Sequence, residues 1–412
     1  MAVERVSHGL RGIKTVRDFE FKDKVVFLRL DLNVPLKNGK ITDETRIVAS
    51  LPTIKFIQEA GGKIVMASHL GRPKSADDKE FSMEPIAHRL SELLNAEVIL
   101  AEEPDGEGVK QLLGGLKPHQ MILLENVRYI PGETIDSEEF AHLLASYTDI
   151  YINDAFGASH RAHSTIHALP NIVKQKGMGL LIEKEVRMLD SLLENTEKPY
   201  WAILGGAKVS DKIPVFEKLI DLVDGFIVGG AMAYTFLKAM GLPVGKSLVE
   251  EDKVKYAREM IARVEARGKS FLLPVDHVVV KNFSTLEGLR TTKDRAMADD
   301  EIAVDIGPET QKQFAAALKN VKTIFWNGPM GVFENPKLAA GTFSVAQALA
   351  DNKGTKIVGG GDSAAAAELS GLADKMTHIS TGGGASLEYL QGEKLPGLEI
   401  LRDKRALRAK EV

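Results

Sequence analysis

Residues 201–212 read WAILGGAKVSDK, and this stretch decides the fold. Its Ala-Ile-Leu segment is a short apolar run, which is typical of a buried parallel strand. The two glycines that follow permit a tight turn, and the remaining residues predict the first turns of a helix. Lys208 and Lys212 would share one face of that helix, near an N-terminus whose unpaired N–H groups attract anions. The stretch predicts a phosphate site, against the alternative of a strand–turn–helix corner with solvated lysines.

The composition is that of a globular chain without a strong charge bias. The sequence has 412 residues, 44% of them hydrophobic and 27% charged, and a formal net charge of -4. This length predicts two domains of about 200 residues, and this charge gives no bulk attraction to nucleic acid or to an anionic membrane. The absence of cysteine excludes disulfides, thiolate metal sites and a cysteine nucleophile. No apolar run reaches the roughly 18 residues of a membrane span, and residues 1–14 lack the apolar segment of a signal peptide. We therefore expect a cytoplasmic enzyme with no nucleic-acid or membrane partner.

Short apolar runs alternate with amphipathic stretches along the whole chain. The predicted strands are 25–30, 63–67, 97–100, 121–124, 149–152, 202–204, 225–228, 270–273, 323–326, 356–358 and 377–379. Helical patterns such as 46–60 separate most of them. This alternation predicts an α/β fold of two doubly wound parallel-sheet (Rossmann-like) domains, joined by a helix and with a cleft between them.

Basic side chains follow most of the predicted strands in the first half. The segments after these strands contain Asp31, Asn33, His69, Leu70, Gly71, Arg72, Arg128, Arg161 and His163, and Arg46 opens the first long helix. In open α/β sheets, ligands bind beyond the carboxyl ends of the strands. A guanidinium grips a carboxylate or a phosphate with two parallel hydrogen bonds. Any one arginine alone is better explained as a surface salt bridge, but the set predicts a site for a small, multiply anionic ligand.

Glycine loops follow the strands of the second half. They contain Gly205, Gly206, Gly229, Gly230, Gly328, Gly359, Gly360, Gly361, Gly382, Gly383 and Gly384. Glycines at strand ends let a flat base or a phosphate approach the backbone. Asp362 lies at a turn into a helix, where it could reach a magnesium ion on the phosphates or simply cap the helix. Asn327 follows another strand, and Glu334 could accept ribose hydroxyls. With Lys208 and Lys212, these residues predict a nucleotide phosphate site.

Three patterns suggest other chemistry and are rejected. The three histidines between residues 160 and 167 have ligand-like spacing, but Arg161 lies among them and would repel a metal cation. Residues 241–247 (GLPVGKS) resemble a Walker loop but have three residues between the glycines where four are needed. Residues 359–364 fit a loose dinucleotide fingerprint, but the next strand lacks the acidic residue that would hold a ribose.

The chain closely resembles the phosphoglycerate kinase family over essentially its whole length. The matching motifs are, in order, RLDLNVP (29–35), RIV (46–48), SHLGRP (68–73), LENVR (124–128), NDAFG (153–157), HRAH (160–163), LGGAKVSDK (204–212), WNGP (326–329), GVFE (331–334), GGGDS (359–363) and GGGAS (382–386). Each motif is weakly specific, but together and in this order they are hard to explain otherwise. Ser363 stands where many relatives have threonine, which keeps the hydroxyl.

The resemblance implies reversible transfer of the acyl phosphate of 1,3-bisphosphoglycerate to MgADP, giving 3-phosphoglycerate and MgATP in glycolysis and gluconeogenesis. It implies that the triose acid is bound by Asp31, Asn33, Arg46, His69, Arg72, Arg128 and Arg161, to which the strand-end pattern adds Leu70, Gly71 and His163. It implies that the nucleotide and its Mg²⁺ are bound by Lys212, Glu334, Gly360, Gly361, Asp362 and Ser363, with Asp362 on the metal. To this set the glycine-loop pattern adds Gly205, Gly206, Gly229, Gly230 and Asn327. The phosphoryl group in flight would be stabilised by Lys208 and Arg46, with backbone N–H groups of Gly382, Gly383 and Gly384.

The helical spacing of Ile182, Val186, Leu189 and Leu193, together with the resemblance, gives the expected domain organisation. Residues 1–182 would bind the triose acid, 183–199 would form a connecting helix and hinge, and 200–394 would bind the nucleotide. Residues 395–412 are expected to pack back on the first domain, and the chain is expected to be a monomer. Residues before Lys14 receive no role.

Two other functions fit the same residues. One is a kinase for another small carboxylate, with the same division into two sites. The other is a binding or scaffolding protein that keeps the fold without turnover. The number of arginines favours a doubly anionic acceptor, and the intact lysines and Asp362 favour turnover.

Overall fold

The chain forms two compact units. The computed structural model describes residues 8–104, 107–194 and 196–403. Unit 1 extends to Asp190 and resumes at Glu393, and unit 2 is Ser191–Gly392.

Unit 1 contains a six-stranded parallel sheet. The strands of unit 1, six in this sheet and two in a hairpin, are β1 Val25–Arg29, β2 Leu36–Lys37, β3 Lys40–Ile41, β4 Lys63–Ala67, β5 Glu97–Ala101, β6 Gln120–Leu124, β7 Ile150–Asn153 and β8 Gln175–Met178. The order is β5-β6-β4-β1-β7-β8, and β2 and β3 form a separate antiparallel hairpin. The direction of the strand order reverses beside β1, so the ends of β1 and β7 flank the point where ligands bind in such sheets.

Helices cover the sheet of unit 1. They are α1 Thr45–Glu59, α2 Glu84–Leu94, α3 Glu107–Gly115, α4 Pro131–Thr134, α5 Glu138–Ala145, α6 Ala168–Ile172 and α7 Leu180–Leu193. On one face, Val26 of β1 lies in register with Ile64 and Ile150 of its two neighbours, and all three pack with Ile54 and Ile57 of α1 in one core. Burial of both faces explains why these strands are nearly continuous apolar runs.

Unit 2 contains a second six-stranded parallel sheet and a small antiparallel one. Its strands are β9 Tyr200–Leu204, β10 Gly225–Val228, β11 Ser270–Leu272, β12 His277–Val280, β13 Arg290–Thr291, β14 Ile302–Ile306, β15 Thr323–Asn327, β16 Thr355–Val358 and β17 His378–Ile379. The large sheet has the order β11-β10-β9-β15-β16-β17, and the small sheet has the order β13-β12-β14. When the six strands of the large sheet are numbered by their order in the chain, they are arranged 3-2-1-4-5-6, which is the order of dinucleotide-binding folds. The switch point lies between β9 and β15.

The helices of unit 2 are α8 Ile213–Leu219, α9 Met232–Ala239, α10 Val254–Ala266, α11 Pro308–Leu318, α12 Ala340–Asp351, α13 Gly361–Leu369 and α14 Gly384–Gln391. A row of buried side chains, Ile227, Ile203, Trp326 and Val358, runs in register across four strands of the large sheet. This row forms the core that fixes the loops at the carboxyl ends of the strands.

The last described segment lies in unit 1. It contains α15 Pro396–Glu399. The Gly397 N–H donates to the Ser159 carbonyl (2.9 Å), and Asn153 Nδ2 donates to the Gly397 carbonyl (3.1 Å). Arg402 Nη2 donates to the Gly9 carbonyl (2.8 Å). The chain after residue 392 thus contacts the end of β7. The rest of the predicted C-terminal segment, residues 404–412, lies outside the described residues.

The predicted fold class is confirmed: both units are doubly wound α/β folds around a parallel sheet. Each of the predicted strands exists, with ends shifted by up to two residues. The sequence does not predict strand β8, the β2–β3 hairpin or the β12–β14 sheet. Of the helices in the described ranges, none has the length and apolar character needed to cross a bilayer.

One local prediction is wrong. The segment after β9 does not enter a helix at residue 207; a 3-10 turn spans Ser210–Lys212 and α8 begins at Ile213. Pro214 at the second position of α8 favours this later start, because proline lacks the N–H that a helix interior needs. Lys208 and Lys212 therefore do not share a helix face.

Candidate active site

In unit 1, Arg46 is held by a carboxylate of the neighbouring loop. Arg46 is the second residue of α1, and its Nη1 lies 2.6 Å from Asp31 Oδ2. The Asp31 side chain is 7% exposed and that of Arg46 30% exposed, so the carboxylate is fixed and orients a guanidinium that still reaches solvent. Arg46 can thus present hydrogen-bond donors to a ligand at the carboxyl end of β1.

The loop after β4 is clamped to two other predicted site residues. Asn33 Oδ1 accepts from the Gly71 N–H (2.8 Å), and Arg128 Nη1 donates to the Gly71 carbonyl (2.6 Å). Gly71 has φ +59°, and a Cβ there would lie 2.3 Å from the Phe81 ring. Only glycine fits this position. Through its two hydrogen bonds, Gly71 brings Asn33 and Arg128 to the loop that carries His69, at one edge of the sheet.

Arginines surround the two histidines of this edge. Burial lowers the pKa of His69 well below its usual value, and the charges of Arg29, Arg128, Arg46 and Arg161 lower it further. Burial and three of the same guanidinium charges lower the pKa of His163 to about 4. Both imidazoles are therefore neutral at pH 7, and the positive charge of the site comes from its arginines.

Burial and the charges of neighbouring arginines act together on Arg128. Burial and the charges of Arg161 and Arg29 lower the pKa of Arg128 to about 10, with Arg72 adding to the effect. Arg161 Nε donates to His160 Nε2 (3.1 Å), and Arg72 is exposed. A cluster with this excess of positive charge is stabilised by a multiply anionic ligand.

A buried polar network lies beneath the cluster, and its roles were not predicted from the sequence. Arg29, at the end of β1, is 1% exposed; its Nε donates to Thr165 Oγ1 (2.7 Å), and its Nη2 lies 3.9 Å from Glu133 Oε1. Glu133 also accepts from the Thr165 N–H (2.9 Å) and lies 3.9 Å from His163. Burial raises the pKa of Glu133, while Arg29 opposes the shift. The sequence feature that could have indicated this network is Arg29, the arginine that ends the otherwise apolar strand VVFLR.

In unit 2, glycines bring the loops at the switch point into direct contact. The Gly205 N–H donates to the Asn327 carbonyl (2.9 Å), and the Gly206 N–H donates to the Pro329 carbonyl (3.0 Å). A Cβ at Gly205 would lie 2.2 Å from that Pro329 oxygen, and one at Gly229 would lie 2.3 Å from Met330 Sδ. Gly230, with φ +66°, donates to the Met330 carbonyl (3.1 Å). The predicted glycines of β9 and β10 thus form one surface with the loop after β15.

Asn327 links Lys212 to the triple-glycine loop. Lys212 Nζ donates to Asn327 Oδ1, and Asn327 Nδ2 donates to the Gly359 carbonyl (2.6 Å). The Gly328 N–H donates to Ser363 Oγ (2.6 Å). Burial lowers the pKa of Lys212, and the charges of Asp211 and Asp362 oppose this shift. These contacts place four predicted nucleotide residues together: Lys212, Asn327, Asp362 and Ser363.

The remaining predicted residues of unit 2 lie on exposed loops and helix starts. Lys208 and Glu334 are exposed. Gly360, with φ +93°, is the N-cap of α13, and Gly361 and Asp362 are its first residues. Gly383, with φ +54°, precedes α14, which begins at Gly384. The Gly382 N–H, the first of the three predicted donors in this loop, donates to Ser380 Oγ (3.2 Å) and is therefore already paired within the chain.

The environment of Asp362 fits a Mg²⁺ ion carried by phosphates. Its carboxylate is exposed in the first turn of a nine-residue helix, directly after Gly360 and Gly361. Over residues 8–104, 107–194 and 196–403, no group of three or more acidic or histidine side chains forms a metal cage. Mg²⁺ is commonly bound by one or two carboxylates together with substrate phosphates, which is the donor set available here.

Comparisons with known proteins agree with the motifs. A family model described as phosphoglycerate kinase matches residues 16–393. A phosphoglycerate kinase of Bdellovibrio bacteriovorus is 71% identical over 97% of this chain and 100% of the relative. One of Clostridium botulinum is 50% identical over 95% of this chain and 99% of the relative.

Solved structures give the same result. The phosphoglycerate kinase of Coxiella burnetii superposes with a TM-score of 0.85 at 40% identity, covering 94% of this chain and 98% of that one. The phosphoglycerate kinase of Pyrococcus horikoshii superposes with a TM-score of 0.82 at 33% identity, covering 96% and 99%. The chain belongs to the phosphoglycerate kinase family.

Proposed function

We propose that the chain transfers a phosphoryl group reversibly between 1,3-bisphosphoglycerate and MgADP, as a glycolytic phosphoglycerate kinase. As a member of this family it is a phosphotransferase with a carboxyl group as acceptor. The observation that carries the proposal is the division of chemistry between the units: arginines cluster in unit 1, and glycine loops meet together with Lys212 at the switch point of unit 2. The first suits a phosphorylated acid, and the second suits a nucleotide.

In unit 1, the proposed triose-acid ligands surround the edge where β1, β4, β6 and β7 end. They are Asp31, Asn33, Arg46, His69, Leu70, Gly71, Arg72, Arg128, Arg161 and His163. The number of guanidinium groups supports an acceptor with two anionic groups, a carboxylate and a phosphate. A kinase for an acceptor with a single carboxylate would leave this repulsion largely uncompensated, and the comparisons do not favour it.

In unit 2, the proposed nucleotide ligands are Gly205, Gly206, Lys212, Gly229, Gly230, Asn327, Glu334, Gly360, Gly361, Asp362 and Ser363. Asp362 would hold Mg²⁺, which neutralises charge on the phosphate oxygens when bound. Lys208, Arg46 and the N–H groups of residues 382–384 would hold the transferring group. Since the Gly382 N–H already donates to Ser380, the proposal relies on the two glycines that follow it.

The chemistry needs alignment and charge more than covalent help. A β-phosphate oxygen of ADP attacks the phosphorus of the acyl phosphate, a new O–P bond forms, and the bond to the carboxyl oxygen breaks with its electron pair left on the carboxylate. In the reverse direction the ionised carboxylate attacks the γ-phosphorus of ATP, and the bond from that phosphorus to the β-phosphate oxygen breaks with its electron pair left on ADP. No proton is removed in either direction, so no general base is required.

Because the two proposed ligand sets belong to different units, we propose that the units close on each other during the reaction, as residues 183–199 act as a hinge. Solution X-ray scattering should show a smaller radius of gyration with both 3-phosphoglycerate and an ATP analogue than with either alone. The same curves give the mass in solution, for which we expect a monomer. An unchanged radius in the ternary state would contradict the closure.

The proposed activity is tested by a coupled assay with MgATP and a panel of acceptors. We expect 3-phosphoglycerate to be phosphorylated at least about 100-fold better, by kcat/KM, than acetate or glycerate, since each lacks an anionic group that arginines would pair. Preference for acetate would identify a different carboxylate kinase. Nucleotide binding without turnover of any acceptor would identify a scaffold. We also propose a cytoplasmic location, which cell fractionation followed by this assay would test.

A further inference from the structure

We propose that Glu250 and Ser210 are positioning residues that fix the backbone carrying Lys208. The proposal rests on the role of Lys208 proposed above. Glu250 lies 40 positions after Ser210 in the sequence, yet its carboxylate contacts both the backbone and the side chain of that serine. Ser210 lies within the motif LGGAKVSDK, whereas Glu250 lies in none of the motifs that carry the family resemblance.

The contact is a two-point clamp. Glu250 Oε2 accepts from the Ser210 N–H (3.0 Å), and Glu250 Oε1 accepts from Ser210 Oγ (2.6 Å). Both residues are partly buried. Because the two bonds hold one residue from two directions, they fix its orientation as well as its position. A carboxylate is also favourable at the N-terminus of the 3-10 turn that begins at Ser210.

Glu250 is itself anchored to a buried helix. Its N–H donates to Thr235 Oγ1 (3.1 Å), and Thr235, on α9, is 1% exposed. The chain of contacts therefore runs from the rigid core of unit 2 through Glu250 to Ser210. Ser210 begins the 3-10 turn and follows Lys208 by two residues, and Lys208 itself lies in a segment without regular structure.

Lys208 needs such an anchor because its side chain has none. Its ammonium makes no ion pair in the part of the chain that the structure describes, and the side chain is exposed. On its N-terminal side the segment is held by Gly206, whose N–H donates to Pro329 (3.0 Å) and whose carbonyl accepts from Met232 (3.0 Å). The Glu250 clamp supplies the matching restraint on the C-terminal side. A catalytic group must be held closely, since a displacement of about 1 Å can cost 100-fold in rate.

The test compares kcat among variants of the full chain. Glu250→Ala should lower kcat about tenfold, with KM for 3-phosphoglycerate unchanged because the unit 1 site is untouched. Glu250→Gln should restore most of the rate, since its amide oxygen can accept from the Ser210 N–H while its NH₂ donates to the Ser210 hydroxyl. Glu251→Ala, which removes a neighbouring exposed glutamate paired with Lys238, should leave kcat unchanged.

A double variant separates positioning from general damage. If Glu250 acts through Lys208, adding Glu250→Ala to Lys208→Ala should cause no further loss of kcat. A full further tenfold loss in the double variant, or a normal kcat in Glu250→Ala beside an impaired Lys208→Ala, would overturn this inference and leave the proposed function intact. A normal kcat in Lys208→Ala would instead remove the role on which the inference rests.

If Glu250→Ala does not fold, Ser210→Ala provides a second test. This variant loses only the hydroxyl bond and should lower kcat about threefold. No change in its kcat would also overturn the inference.

Discussion

Replacing Lys208 by alanine should lower kcat by about 100-fold or more in a chain that still folds. An ammonium group near the transferring phosphoryl group stabilises charge that is spread over its oxygens, and one such donor is worth a few kcal/mol in a closed site. The side chain is exposed, so its removal opens no cavity. We therefore expect little change in the thermal midpoint and a large change in the coupled assay.

The matched control for this variant is Lys255→Ala. Lys255 lies on α10 of the same unit, its side chain is 89% exposed, and it pairs only at long distance (3.8 Å) with Glu259. Its loss changes the net charge equally but should leave kcat unchanged. If Lys208→Ala and Lys255→Ala had the same turnover, Lys208 would have no part in transfer.

Replacing Arg46 by alanine should lower kcat by a similar factor, about 100-fold. Two effects add in this case. The guanidinium is lost from the site, and Asp31, which is almost fully buried, loses its 2.6 Å partner and remains as an uncompensated charge among the ligands. Arg46→Lys should recover only part of the rate, because an ammonium cannot make the paired bonds of a guanidinium. Steady-state kinetics of the three proteins measures this series.

Arg89→Ala provides the control for Arg46. Arg89 forms ion pairs with Glu44 (2.8 Å) and Glu92 (2.7 Å) whose side chains are 34–50% exposed, and Glu44 immediately precedes α1. Its removal tests whether weakening the start of α1 alone affects turnover. Because ion pairs at the surface contribute only about 0–1 kcal/mol to stability, we expect little change in kcat. A drop in kcat for Arg89→Ala as large as that for Arg46→Ala would mean that helix placement, and not the Arg46 guanidinium, accounts for the effect.

Much of the fold could be predicted because parallel sheets buried on both faces leave apolar runs in the sequence. Strands β1, β4 and β10 are such runs, and the order of runs and helices is enough to place the residues after them at one sheet edge. Strand β8 is not predicted because it is an edge strand with the sequence QKGM, whose first two residues are polar and not buried. The β12–β14 sheet is built by antiparallel pairing over long separations, which local patterns do not specify.

The parts of the site that could not be predicted depend on contacts between distant segments. The Glu133–Thr165 and Ser210–Glu250 pairs are 32 and 40 positions apart, and no periodicity connects them. The wrong prediction that a helix begins at Ala207 has a local cause, because the glycines at 205 and 206 allow a turn but do not determine how far it extends. Most side chains proposed to touch the ligands lie in recognisable motifs, whereas the supporting residues Glu133, Thr165 and Glu250 do not.

The central claim is that a triose acid and a nucleotide bind in different units of this chain. A crystal structure of the full chain with 3-phosphoglycerate and MgADP tests it most directly. We predict the acid against Arg46, Arg128 and Arg161 of unit 1, and the ADP phosphates against Lys212 and residues 360–363 of unit 2. Electron density for both molecules within a single unit would contradict the account.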